Sequence, residues 1–178
     1  MSMNNRINNQ SGFSLIEVLI SVLVFGVGVL GLTGLQVASL KGSNNAHYRT
    51  TASVLAMDLA DRMRSNLSAV REGLYGEAVS CNTVSRLCRS SACTKEELAV
   101  FDLQEVMCGS KRGSEREGGV VGLLPNGRMR VMCDAGCVAP PNALNAVHKI
   151  VITWNENKTV SATTNDDQSR SLTMQIIP

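Results

Sequence analysis

Aromatic side chains make up only 3% of the 178 residues, so any soluble core has to be built from Val, Leu, Ile, Met and Ala. Histidine is almost missing as well. The two present, His47 and His148, have no serine–acid or metal partner near them in the chain, which withholds the commonest general base and metal ligand. No phosphate-cradling glycine loop and no nucleophile motif occurs. No enzymatic activity and no cofactor are therefore expected. Net charge is only +2, too little to imply nucleic acid or an acidic surface as an obligate partner. Basic residues do gather at Lys111, Arg112, Arg116, Arg128 and Arg130, but Glu115 and Glu117 interleave with them and no aromatic platform accompanies them. A solvated loop is the expectation there, and nucleic acid is not an expected partner.

Cysteine, by contrast, is well represented. Cys81, Cys88, Cys93, Cys108, Cys133 and Cys137 all follow a long apolar segment, and none lies within it. The intervals Cys88–Cys93 and Cys133–Cys137 miss the two-residue spacing of zinc knuckles and read better as local disulfide loops. A cytosolic chain would need metal or catalysis to account for these thiols, whereas an exported one needs only disulfides. The sequence does not choose among the possible pairings.

The apolar segment is the strongest feature. After a polar, Asn-rich stretch over 1–12 with one charged side chain, Arg6, no residue from Val18 to Leu40 is charged. That exceeds the roughly 20 residues that cross a bilayer core. A secretory signal would have a shorter apolar core, about 7–15 residues, followed by a small-residue cleavage site; Val37-Ala38-Ser39 is a weak candidate for one. An ordinary single-pass anchor fits the hydropathy but leaves Glu17 unexplained. An intramembrane carboxylate is costly and calls for a cation. Cleavage between Gly12 and Phe13 would make one, the new amine of Phe13, four residues from Glu17.

The string Gly12-Phe13-Ser14-Leu15-Ile16-Glu17-Val18-Leu19 resembles the processing motif of type IV prepilins and type II secretion pseudopilins. The resemblance implies cleavage after Gly12 by a prepilin peptidase/N-methyltransferase, methylation of Phe13, and Glu17 as the carboxylate used in subunit assembly. Other minor and major pilins and the inner-membrane assembly machinery are the implied partners. Cys93-Thr94 through Asp102-Leu103, with Ala99-Val100-Phe101-Asp102-Leu103 inside it, is similar to a segment of PilV-type minor pilins. Together these imply a minor pilin, single-pass in the inner membrane with a periplasmic head, and on the cell surface once assembled. A secretion pseudopilin and a DNA-binding or adhesive tip subunit share the same anchor.

The implied fold is α+β and pilin-like, a long N-terminal transmembrane helix packed on a small antiparallel sheet. The expected organisation is a leader over 1–12, a transmembrane and assembly helix over 13–40, an amphipathic extension over 41–72, and a disulfide-containing head over 73–178. In the extension Ala52, Leu55, Leu59 and Met63 recur at helical spacing, with an interruption expected near Gly42-Ser43. Thr94 followed by Lys95-Glu96-Glu97 reads as a capped helix running towards Met107. Strands are expected at Gly119–Leu124, at Arg128–Cys133 after the turn Pro125-Asn126-Gly127, at Val147–Trp154 and at Ser171–Ile177. Met129, Val131 and Cys133 should share one face.

Overall fold

The computed structural model describes residues 12–76, 78–82, 88–112, 115–133, 147–156 and 169–177. The chain divides into two compact units, Met1–Lys41 and Gly42–Pro178. In the first unit the described residues form the start of helix α1 (Leu15–Ser65), and every side chain from Phe13 to Leu40 is exposed. This stretch is long and apolar enough to cross a membrane.

The expected interruption near Gly42-Ser43 does not occur: α1 is continuous through both residues. A glycine inside a helix costs only about 1 kcal/mol relative to alanine, and the apolar run up to Leu40 and the core-facing stripe from Ala52 sustain the helix on either side of Gly42-Ser43-Asn44-Asn45. In the second unit α1 turns a stripe of Ala52, Ala56, Leu59, Ala60 and Met63 into the core, with Leu55 half-buried beside it. The alanines recur every fourth residue, and their small side chains admit close neighbours.

The sheet behind this stripe has strand order β3-β4-β5 and is antiparallel throughout: β3 (Arg128–Cys133), β4 (His148–Asn155) and β5 (Ser169–Ile176). Its register lines inward side chains into rows. Val131 stands opposite Ile150, which stands opposite Met174; Met129, Ile152 and Leu172 make the next row. The inward set on β3 is the expected one, Met129, Val131 and Cys133, alternating with exposed Arg128, Arg130 and Met132. The central strand β4 is the most deeply covered, with Ile150, Ile152 and Trp154 in the core. Each such fully buried side chain contributes roughly 1.5–3 kcal/mol of apolar transfer energy.

Between α1 and the sheet strands lie a short helix α2 (Leu67–Arg71), a 3-10 turn at Leu74–Gly76, helix α3 (Lys95–Cys108), a two-stranded hairpin β1 (Ser110–Arg112) and β2 (Glu115–Glu117), and helix α4 (Gly119–Leu123). Helix α3 begins with a full capping box. The Glu97 amide donates to Thr94 Oγ1 at 3.3 Å, and the Thr94 amide donates to Glu97 Oε2 at 3.0 Å. Its Ala99, Leu103 and Val106 join the core.

One strand expectation is overturned. Gly119–Leu123 is a helical turn, so β3 pairs with β4 and not with the segment before it. The cause is local geometry. Gly118 and Gly119 both have positive φ, +83° and +67°, and a Cβ on Gly119 would overlap the backbone of Gly109 and Cys108. That close approach folds the chain back after β2 and drops Val120 and Leu124 into the core. The expected turn does form: Asn126 has φ 53°, the Gly127 amide donates to Leu124 O at 3.0 Å, and the Asn155 amide donates to Pro125 O at 2.9 Å. The whole is an α+β, pilin-like architecture.

Candidate functional site

At the N-terminal end, Gly12, Phe13 and Ser14 precede the helix without joining it. Ser14 O accepts the Glu17 amide at 3.0 Å and the Val18 amide at 3.3 Å, closing the first turn. Glu17 therefore sits in the first turn, where the exposed amides and the helix dipole favour a negative charge. Phe13 is 83% exposed, and Glu17 is exposed as well. Among the described residues no hydrogen bond or ion pair engages the Glu17 carboxylate. No atom lies within 4 Å of the place a Cβ on Gly12 would take, so packing within the chain does not demand glycine there. The geometry thus offers an accessible, non-helical Gly12–Phe13 bond, an exposed aromatic and one unneutralised acid at the start of an uncovered apolar helix. Residues 1–11, the greater part of the expected leader, lie outside the described residues.

The head holds two described disulfides, Cys81–Cys108 and Cys88–Cys93, separated by 27 and 5 residues in sequence. Cys133 is disulfide-bonded too, and Cys137 lies outside the described residues. The first bridge fastens the chain after the 3-10 turn to the last residue of α3; the second closes the loop just before the Thr94 cap. Arg89, in that loop, reaches Glu105 on α3. Both bridges thus tie the chain between the 3-10 turn and Thr94 to itself or to α3. His47 is exposed beside Tyr48, ring centroids 6.4 Å apart, while His148 is buried at the start of β4.

Two charged clusters escaped the sequence reading. In the first, Asp102 is 4% exposed and accepts from the Tyr75 hydroxyl at 2.8 Å and from the Arg62 guanidinium at 3.2 Å. Arg62 also bonds Asp58 at 3.0 Å. Asn66 Nδ2 donates to Lys95 O at 3.0 Å and lies 3.5 Å from the Tyr75 hydroxyl. Burial pushes the Asp102 carboxyl above its ordinary value, outweighing the two hydrogen bonds that hold it down. Burial, and then the bond to Asp102, push the Tyr75 phenol up. Helix α1, the 3-10 turn and α3 are stapled at this point. Its only sequence trace was the Asp102 of the Ala99–Leu103 segment. In the second cluster Glu156 accepts from Arg49 and from Arg170, each at 3.1 Å, joining α1 to β5. No local pattern marks it, because the three partners are far apart in the chain.

The basic group anticipated around the central loop is split by the fold. Lys111 and Arg116 face each other in the β1–β2 register, and Arg116 is turned inward onto Gly109 O and Gln104. Arg128 and Arg130 stand apart, on β3.

Two family models match the chain. One is the prokaryotic N-terminal methylation motif, over residues 7–33. The other is described as Type IV pilin Tt1218, over residues 34–104. No curated protein and no solved structure matches. Across these two adjoining segments, from the methylation motif to the Asp102 staple, the chain is similar to type IV pilins.

Proposed function

We propose that this chain is a minor pilin of a bacterial type IV pilus, of the PilV type. It is made as a precursor with the leader 1–12, cut after Gly12 by the prepilin peptidase and methylated at Phe13. Residues 13–40 hold it in the inner membrane, 41–72 extend the helix, and 73–178 form a periplasmic head. It then joins other minor and major pilins through the inner-membrane assembly machinery, entering the pilus or its initiating tip complex and reaching the cell surface. Its work is assembly. The carrying observation is an uncovered apolar helix that starts just past an accessible Gly12–Phe13 bond and holds one carboxylate, Glu17, in its first turn.

The physical logic is pairwise. Cutting the Gly12–Phe13 bond frees an amine beside a helix N-terminus, and Glu17 of a neighbouring copy supplies the opposite charge. An unpaired carboxylate costs roughly 2.5–3.5 kcal/mol at the bilayer centre and less towards its edge, where the first helical turn lies, so pairing favours docking of one subunit on the next by up to that amount. The test is a comparison of two variants in the producing cell. Gly12→Leu should leave full-length precursor in the membrane fraction, and Glu17→Ala should be cut and inserted yet depleted from sheared filaments. Normal cutting of the first variant, or normal filament content of the second, would overturn the reading.

A further inference from the structure

We propose that the outward face of the β3–β4 pair is a docking groove for an extended acidic peptide segment of a partner protein. The proposal stands on the sheet face and not on the pilin reading. A cavity of about 300 Å³ opens there, lined by Arg128, Met129, Arg130, Val151 and Thr153. Register places Arg128 opposite Thr153 and Arg130 opposite Val151. Val151 is only 7% exposed and makes an apolar floor, while both arginines are exposed. Among the described residues neither guanidinium makes a hydrogen bond or an ion pair. That separates them from Arg116, Arg49 and Arg170, which are each tied to a partner within the head.

Chemistry and spacing select the occupant. Among the described residues the lining includes two cations and no acid, so a complementary ligand is anionic. Arginine prefers planar carboxylates, which its fork binds through two parallel hydrogen bonds. Arg128 and Arg130 are two apart on one strand, hence roughly 6.5–7 Å apart along it. Carboxylates on alternate residues of an extended peptide have the same repeat, so a strand-like Asp-x-Asp stretch meets both arginines at once. The cavity volume lies at the lower end of ligand pockets and admits a short stretch of chain. Nucleic acid fits less well: among the described residues no aromatic side chain lines the groove on which bases would stack.

The test uses the full chain in zwitterionic detergent micelles and a fluorescent hexapeptide alternating aspartate and serine. Anisotropy should report saturable binding that weakens several-fold as added salt shortens the screening length. Arg128→Gln and Arg130→Gln should each weaken it by about tenfold, while Lys111→Gln, on the separate hairpin, should leave it unchanged. Near-ultraviolet circular dichroism of each variant confirms that the head is folded. Absence of salt-sensitive binding, equal affinity of the arginine variants, or displacement of the peptide by a duplex oligonucleotide of equal charge would each overturn the proposal.

Discussion

Asp102 and Glu156 are both buried acids held by arginine, yet they bind their protons in opposite ways. Burial wins at Asp102 and raises its carboxyl. The folded chain therefore takes up that proton more readily than the unfolded one. Its stabilising contribution is complete below the ordinary carboxylate value and is lost as pH rises through the raised one. At Glu156 burial pulls the same way, but the hydrogen bonds from Arg49 and Arg170 outweigh it and hold the carboxyl below its ordinary 4.5. That contribution is present above the ordinary value and is lost as pH falls through the depressed one. Melting temperatures followed from about pH 6 to about pH 3 should consequently fall less steeply in Glu156→Gln than in the unaltered protein. Asp102→Asn should shift the profile in the other sense, removing a gain that the unaltered protein shows on acidification. Asp102→Ala is more damaging at any pH. It strands the Tyr75 hydroxyl and leaves half-buried Arg62 with Asp58 alone, an expected loss of about 2–4 kcal/mol in denaturant titration.

At the scale of elements, helix α3 and helix α4 show what a sequence displays and what it conceals. The N-terminus of α3 was legible because the capping box is a short-range device: Thr94 and Glu97 are three apart and satisfy each other's backbone. Thr94→Ala should cost about 1 kcal/mol, measured as a shift in the denaturation midpoint with unchanged slope. The helical stripe of α1 was legible for the same reason, since Ala52, Leu59 and Met63 repeat at the helix period. Helix α4 was not. Val120 and Val121 are β-branched and precede a turn, which reads as strand, and it is the positive φ of Gly118 and Gly119 with the backbone contact between Gly109 and Gly119 that makes the chain coil there. Gly119→Ala should therefore cost more than the ~1–3 kcal/mol of an unfavourable backbone conformation, because steric overlap adds to it. Thermal unfolding that matches the unaltered protein would contradict this account of α4. The ion pairs through Glu156 and Asp102 were hidden by the same circumstance, each joining residues that only the fold brings together.

For the whole molecule, the cysteine count pointed to oxidation and the short Cys88–Cys93 interval to a local loop, but the Cys81–Cys108 bridge was hidden, because it depends on where α3 ends relative to the chain that follows Tyr75. The two described bridges differ in what they constrain. Cys81–Cys108 spans 27 residues and Cys88–Cys93 only 5. On the chain-entropy account the first contributes about 3–4 kcal/mol and the second about 2 kcal/mol. Replacing Cys81 and Cys108 together by serine should thus lower head stability more than replacing Cys88 and Cys93, with urea midpoints as the measure.

Among the described residues nothing covers the side chains from Phe13 to Leu40. At roughly 25 cal/mol per Å² of apolar surface, moving that stretch into water is prohibitive. A free aqueous monomer is therefore strongly disfavoured as a stage between one environment and another. Any transfer has to be an exchange, each strip of surface leaving lipid only as it is received by something equally apolar. On the assembly role proposed above, whatever moves the chain works at a boundary between two oily hosts and does not need to lift it into solvent.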